Sequence, residues 1–517
     1  MNEFVALLGL LLAAVILAAL ARQVGVPYPV FLAVGGGCLA FVPGAPALAI
    51  EPRLALALFV APVLLDAAFD SSPRDMRENW VPLVNLVVLG VAVTTVAVAI
   101  VVRAFIPDIA WPLAIALGAI VAPPDATAAT TILRHVKPPH RILTILEGES
   151  LLNDASALMI YRLSLGALAT SAFSIKGAAP TLLLAVVGSL VVGRAAAWLV
   201  MRLTMRIRDV PTSIILQFIT TFGVWIVADE LGLSAVLTMV CFAVAVARPA
   251  SEIIPARMRI PSWAVWETAV FVLNVLAFVF IGLQIRPILS GLEPGIRERY
   301  FWVAGAVLLT VMAVRIAWVL IYFAIYRLVA SRVPRRPGPS RQPPTLRGAL
   351  IVGWSGMRGI VTLAAALALP LQINGATVPF RDLIVLTAFA VVLGTLVIQG
   401  LTLGPLLRRI RLRDDHPVER EVAAARDRAL KAALATVDGI DSEVARVVRQ
   451  EFASHLRPAR GEDDDREMDH EQVHRSALAA ARRTILEMRA NDEIGDDAFH
   501  QLEREFDWLE MANELEQ

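Results

Sequence analysis

The distribution of hydrophobic residues divides the chain at about residue 410. Before this point, apolar segments near the length of about 20 residues that a helix needs to cross a bilayer alternate with polar connections. We count about thirteen such segments, centred near residues 12, 37, 61, 93, 121, 155, 190, 221, 241, 275, 314, 359 and 395. After it, apolar residues recur at helical spacing among many charges. The pattern predicts an all-α transmembrane domain over residues 1–410 and a soluble helical tail over residues 411–517.

Two of the apolar segments are interrupted by residues that break helices. The fifth contains Pro123 and Pro124 directly before Asp125, and the prolines remove two backbone donors. The twelfth contains several glycines, among them Gly356, around Arg358. The two segments stand seven apart, so they cross the membrane in opposite directions. This spacing is what two inverted repeats would produce, and paired broken helices in corresponding halves point to a transport site near the middle of the membrane. The alternative is that Pro and Gly are simply more frequent in membrane helices.

The sixth segment carries the most polar stretch of the apolar region, ILEGESLLNDASAL. A charged side chain near the centre of a bilayer costs about 2.5–3.5 kcal/mol on insertion scales, and it persists mainly where it faces a cavity and has a function. In a helix, Glu147, Ser150 and Asp154 fall on one face, with Asn153 beside them. The spacing predicts a helix with one hydrated face.

Two further charges lie inside apolar segments. Arg315 is deep in the eleventh segment, where an unpaired guanidinium would be costly, and Glu149 is the leading candidate for its partner. Asp66 is near the inner end of the third segment, where it either lines a cavity or marks the membrane edge.

Composition and charge support a membrane protein with two parts. The chain is 57% hydrophobic and 18% charged, against about 25% charged in soluble domains. Its two cysteines exclude a disulfide framework. One set of alternate connections carries about 18 Lys and Arg and the other about 7, so the richer set is predicted to be cytoplasmic. Thirteen crossings then place the N-terminus outside and the acidic tail, with 27 acidic and 14 basic residues from Asp414 onward, in the cytoplasm.

The tail contains one pattern typical of a zinc site. His470 to His474 reads HEQVH, which matches the H-E-x-x-H arrangement of metalloproteases. The surrounding segment is a charged linker without an obvious third ligand, so a solvated helix is the favoured interpretation. An alternative hypothesis gives the tail a sensory or enzymatic function, with the membrane part as its scaffold.

The motifs GESLLND, APPDATAA and WSGMRG together resemble those of the NhaP-type sodium/proton antiporters, in the cation:proton antiporter family that includes the animal sodium/hydrogen exchangers. The resemblance covers about residues 1–410 and is greatest to the bacterial branch. It implies about thirteen transmembrane helices in two inverted repeats, with a core of crossed unwound helices and a dimerisation domain that moves as an elevator. It also implies the inner cell membrane, a homodimer, membrane lipid as a partner, and no nucleic acid.

The resemblance assigns roles to individual residues. Asp154 matches the aspartate that carries ion or proton, Asn153 its partner, Asp125 the second aspartate in the unwound helix and Ser150 a hydroxyl ligand. Na⁺ at Asp154 and Asp125 would be the substrate, and no cofactor is implied. Where many relatives have Thr-Asp-Pro, this chain has Pro124-Asp125-Ala126, so the threonine ligand is absent.

The resemblance also covers the ion pair and the transport stoichiometry. Glu149 and Arg315 match the core ion pair of the family, and Asp66 matches an acidic position beside the cytoplasmic cavity. Because H⁺ and cation would compete for Asp154, we expect alternating-access exchange of Na⁺, or of K⁺ or Li⁺, for H⁺. Asn153 together with an arginine that cannot deprotonate indicates electroneutral 1:1 exchange. A cation channel or uniporter is the alternative for the membrane part.

Overall fold

The computed structural model describes residues 2–24, 26–42, 51–125, 128–131, 133, 138–170, 175–292, 294–332, 345–373, 375–410, 412, 431, 434–435 and 446. The chain divides into two units, Met1–Asp415 and His416–Gln517. The predicted tail helices and the HEQVH segment at 470–474 lie outside the described residues.

The described part of the first unit is almost entirely helical. Its helices are α1 (Asn2–Val24), α2 (Tyr28–Leu39), α3 (Pro52–Asp70), α4 (Pro73–Glu78), α5 (Trp80–Phe105, with a π-helical turn at Asn85–Gly90), α6 (Trp111–Val121), α7 (His140–Thr170), α8 (Ile175–Thr204), α9 (Val210–Glu230), α10 (Ala235–Ile253), α11 (Ala256–Leu283), α12 (Ile285–Ser290), α13 (Pro294–Arg332), α14 (Leu346–Trp354), α15 (Ile360–Leu367) and α16 (Arg381–Ile410). Strands β1 (Gln372–Ile373) and β2 (Ala376–Thr377) form an antiparallel pair between α15 and α16.

The helices coincide with the predicted apolar segments. Among the described residues, seven helices are long and apolar enough to cross a membrane: α3, α5, α8, α9, α11, α13 and α16. Parts of α1, α2, α6 and α10 are shorter apolar helices. The polar residues in the middle of α7 make it less apolar, although its 31 residues exceed the length that a bilayer requires. The number of thirteen crossings and the inverted repeats stay predictions.

Short polar residues begin several of these helices. A side-chain oxygen of the N-cap residue accepts a hydrogen bond from the backbone N–H three positions later, which satisfies a donor that the helix leaves unpaired. This occurs at Ser72 before α4, Asp209 before α9, Ser234 before α10 and Thr345 before α14.

Glycine permits the close packing of α2 on α11. A Cβ atom at Gly36 would overlap the backbone carbonyl of Val279, and one at Gly282 would overlap the backbone of α2 at Ala33. Small residues at such crossings let helix backbones approach each other, as is common in membrane helix pairs.

Candidate ion-binding site

The two interrupted segments are in direct contact. Helix α6 ends at Val121, and the chain from 122 to 125 is not helical. The break between α14 and α15 spans residues 355–359. The backbone N–H of Asp125 donates a hydrogen bond to the Met357 carbonyl oxygen at 2.7 Å. The breaks predicted from Pro123 and Pro124, and from the glycines around Arg358, are therefore present, and the backbones of the two breaks are joined.

The side chain of Arg358, which belongs to the break between α14 and α15, lies at the C-terminal end of helix α6. Its Nε donates to the Val121 carbonyl at 3.1 Å and its Nη2 to the Ala122 carbonyl at 3.2 Å, while Nη1 donates to the Gly356 carbonyl. The side chain is 1% exposed. The last carbonyls of a helix lack partners within the helix and carry a partial negative charge. The guanidinium group therefore stabilises the interrupted end of α6 inside the protein.

Asn153 connects α7 to the break that follows α6. Its Nδ2 donates to the Pro124 carbonyl oxygen at 2.6 Å. Its Oδ1 is buried and has no hydrogen-bond partner among the described residues. A carbonyl oxygen of this kind is the hard ligand that an alkali cation prefers.

Asp154 and Asp125 are brought to the same region, because Asn153, next to Asp154, binds the carbonyl of Pro124, next to Asp125. Asp154 is 9% exposed, and Asp125 is partly buried. A Cβ atom at Gly359 would overlap the Asp125 carboxylate, so this glycine leaves the space in which the carboxylate lies. Two carboxylates that share a buried site favour binding of a positive ion between them.

The predicted pair of Glu149 on α7 and Arg315 on α13 is present. Arg315 donates from Nη1 to Glu149 Oε1 at 2.6 Å and from Nη2 to Oε2 at 3.0 Å. Its Nη2 also donates to the Val352 carbonyl at 3.2 Å, near the end of α14. Both side chains are buried, so the pair links α7, α13 and α14 within the core.

The remaining predicted site residues lie around this cluster. Ser150 is partly buried one helical turn before Asp154, and Pro123 and Pro124 are buried in the break of α6. Asp66 is partly buried on α3, a helix that contacts both α7 and α15. The structure thus brings Asp154, Asp125, Asn153, Pro124, Gly356 and Arg358 together.

Two residues that hold the site in place, Thr395 and Ser156, were not predicted from the sequence. Thr395 of α16 accepts a hydrogen bond from the Arg358 backbone N–H at 3.0 Å. Ser156 donates to the Val87 carbonyl at 2.7 Å, within the π-helical turn of α5. A π-turn disrupts the regular pairing of backbone carbonyls, which makes such an acceptor available. Thr395 is one of several polar residues of α16, with Thr387, Gln399 and Thr402, and no sequence signal distinguishes it from them.

The fold and the site define a class of protein: a multi-pass membrane transporter with charged residues clustered where two interrupted helices meet. The chain belongs to the transmembrane sodium/hydrogen exchanger family, whose pattern matches residues 10–409. The predicted family and helical membrane fold are confirmed.

Known proteins similar to this chain include bacterial and archaeal antiporters. It is 29% identical over 504 residues to a sodium, potassium, lithium and rubidium/H⁺ antiporter of Bacillus pumilus, covering 94% of this chain and 74% of the relative. It is 28% identical over 421 residues to the Na⁺/H⁺ antiporter ApNhaP of Aphanothece halophytica, covering 80% and 76%. The solved structure of the sodium proton antiporter MjNhaP1 from Methanocaldococcus jannaschii shares the fold, with a TM-score of 0.61 at 16% identity, covering 79% of this chain and 99% of that one.

Proposed function

We propose that this protein exchanges a monovalent alkali cation, Na⁺ or alternatively K⁺ or Li⁺, for H⁺ across the inner cell membrane, with both ions competing for Asp154. The observation that carries the proposal is the position of Asp154, which is buried on α7 next to Asn153, where Asn153 binds the break that contains Asp125 and this break binds the second one. Family membership and the named activity of the Bacillus pumilus relative support it.

The ligands for a partly dehydrated cation come from three elements. Asp154 and Ser150 contribute oxygens from α7, Asp125 from the break of α6, and Asn153 Oδ1 is free of other hydrogen bonds within the described residues. Alkali cations are held by several such hard oxygens together with water. Na⁺ at Asp154 and Asp125 is thus bound as substrate.

Competition for one carboxylate couples the two fluxes. An ionised carboxylate is costly to carry through a region without water, so the empty site does not change sides readily. With H⁺ or a cation bound, that cost is reduced, and the site can open to either side in turn. Each transfer of a cation in one direction is then matched by a transfer of H⁺ in the other.

The charges around the site favour electroneutral 1:1 exchange. Arg315 is paired with Glu149, and Arg358 is held by backbone carbonyls. An arginine keeps its proton at physiological pH. Neither guanidinium group therefore adds a second exchangeable proton to the cycle.

The orientation, assembly and tail are part of the same proposal. The Lys and Arg bias of the connections supports a cytoplasmic tail and an external N-terminus. Asp66 serves as an acidic residue beside the cytoplasmic entrance, and the protein acts as a homodimer in lipid. Residues 1–410 form the transport domain, and residues 411–517 form a separate cytoplasmic helical domain.

Asp154→Asn is the sharpest test because it keeps the shape and removes the titrating group. We expect everted vesicles with this variant to lose dissipation of a pH gradient by Na⁺, K⁺ or Li⁺. The matched control is Asp108→Asn, an exposed residue of the connection between α5 and α6. Retained cation-dependent dissipation in Asp154→Asn would refute the assignment. Cation flux without opposite proton movement in the wild type would indicate a channel or uniporter.

A further inference from the structure

A large cavity opens beside the second half of α7. Its volume is about 1130 Å³, far above the space that one water molecule requires. Residues from Leu158 to Ala167 of α7 and Ala365 of α15 line one wall, while Trp225 of α9 and Ser234 line the opposite wall. Arg53, Arg162, Asp229 and Glu230 also line it, so its charged lining is balanced. The lining is mostly apolar, but the cavity is large enough to admit water and hydrated ions, and charged side chains reach part of its wall.

Tyr161 is one of the residues that line this cavity, and it is 7% exposed. Its hydroxyl is buried without a hydrogen-bond partner in the part of the chain that the structure describes. A buried hydroxyl of this kind is unfavourable unless water or an ion satisfies it. The cavity is the place from which such a partner can come.

Tyr161 is aligned with the predicted carrier. It follows Asp154 by seven residues, which is about two helical turns and about 10 Å along the axis on the same face. Leu158, which lies between them one turn after Asp154, also lines the cavity. The cavity therefore approaches Asp154 along the helix face that Tyr161 occupies.

Arg162, the next residue of α7, binds residues on the other side of the cavity. Arg162 donates to Asp229 Oδ1 at 2.8 Å and to the Leu233 carbonyl at 2.9 Å. Gly232, with φ 70°, forms the turn that presents this carbonyl after α9. Arg162 thus holds the two walls together beside Tyr161.

We infer that Tyr161 contacts the incoming cation between this cavity and Asp154, with its hydroxyl oxygen replacing one water of the hydration shell. This inference rests on the proposed function and adds a cation-binding residue on the access path to it. In the proposed orientation, the residue acts on the external side only.

The test compares the KM for Na⁺ on the two sides of the membrane in the variant Tyr161→Phe. This substitution removes only the hydroxyl group. In right-side-out vesicles, where the cavity faces the medium, we expect the KM for Na⁺ to rise about three- to tenfold, as for loss of one neutral hydrogen bond. In everted vesicles, the KM should stay near the wild-type value. Tyr322→Phe on α13 is the matched control and should change neither KM.

A structural role of Tyr161 would alter both sides, so an equal change in the two vesicle types overturns the inference, as does an unchanged KM in both. Wild-type vesicles measured in parallel separate this test from that of the proposed function. Exchange by the wild type with an unaltered KM in Tyr161→Phe would refute the role of Tyr161 alone.

Discussion

The Arg358 guanidinium group lies at the interrupted end of α6 and donates to the Val121 carbonyl oxygen at 3.1 Å. The side chain comes from the break between α14 and α15, so a residue of one interrupted helix satisfies the free backbone of the other. Two breaks that would each be costly alone are stable together, because unsatisfied backbone groups in a membrane interior require partners.

We predict that Arg358→Gln reduces the maximal exchange rate at least about tenfold, since each hydrogen bond to a charged group contributes about 1.5–3 kcal/mol. Arg358→Lys should fall between this variant and the wild type, because an ammonium group lacks the planar fork that reaches several carbonyls. Rates are measured as dissipation of a pH gradient in everted vesicles. Arg347→Gln, at an exposed position of α14, is the control and should leave the rate unchanged. Wild-type rates in Arg358→Gln would contradict the role.

Gly359 offers a test of the space around Asp125. We predict that Gly359→Ala raises the KM for Na⁺ by about tenfold or abolishes exchange, because the added methyl would overlap the Asp125 carboxylate. The backbone there is extended, with φ −128° and ψ −155°, so the effect comes from lost space and not from the conformation.

Gly305→Ala is the matched control for this substitution, because a Cβ atom at Gly305 on α13 meets no other atom within 4 Å. Its KM and rate should equal those of the wild type. Normal transport by Gly359→Ala would show that the Asp125 carboxylate can move without loss of function.

Much of the fold and part of the site could be predicted from the sequence. The apolar segments located the helices, and Pro123, Pro124 and the glycines around Arg358 located the breaks, because these residues act locally on the backbone. Glu149 could be selected for Arg315 because a buried guanidinium requires a carboxylate. The acceptors of Arg358 could not be predicted, since every residue carries a carbonyl and no sequence pattern marks a free one. The π-turn of α5 and the bond from Arg162 to Asp229 depend on tertiary packing for the same reason.

The short helix α4 is joined to the start of α7 by a contact that depends on pH. His140 Nε2 lies 3.0 Å from Asp75 Oδ2. Burial raises the pKa of Asp75, but the hydrogen bond and charge of His140, together with the Ser72 hydrogen bond and the Arg74 charge, more than offset this, so the pKa lies below its usual value of 3.8. A lowered pKa in the folded state contributes stability above the unfolded pKa, and this contribution is lost as the pH falls through the folded value.

We therefore predict that Asp75→Asn lowers the Tm of the detergent-solubilised protein at about pH 5, and that the difference from the wild type vanishes as the pH is lowered through the reduced pKa of Asp75. The same substitution in a His140→Gln background should have a smaller effect, because the main partner is absent. A difference that is independent of pH down to about pH 2 would contradict the assignment.

The contribution of the ion pair between Glu149 and Arg315 to stability can be distinguished from that of the packing around it. Their side chains are 2% and 7% exposed, so removal of one partner leaves an uncompensated charge in the core. We predict that Arg315→Met lowers the free energy of unfolding by about 3–5 kcal/mol. The double variant Glu149→Leu with Arg315→Met should regain most of this loss, since a buried ion pair is often replaceable by apolar residues of similar volume. The stabilities of the single and the double variant are compared with that of the wild type through their Tm values in detergent. A double variant as unstable as Arg315→Met would mean that the donation from Arg315 to the Val352 carbonyl, not the ion pair, holds α14 in place.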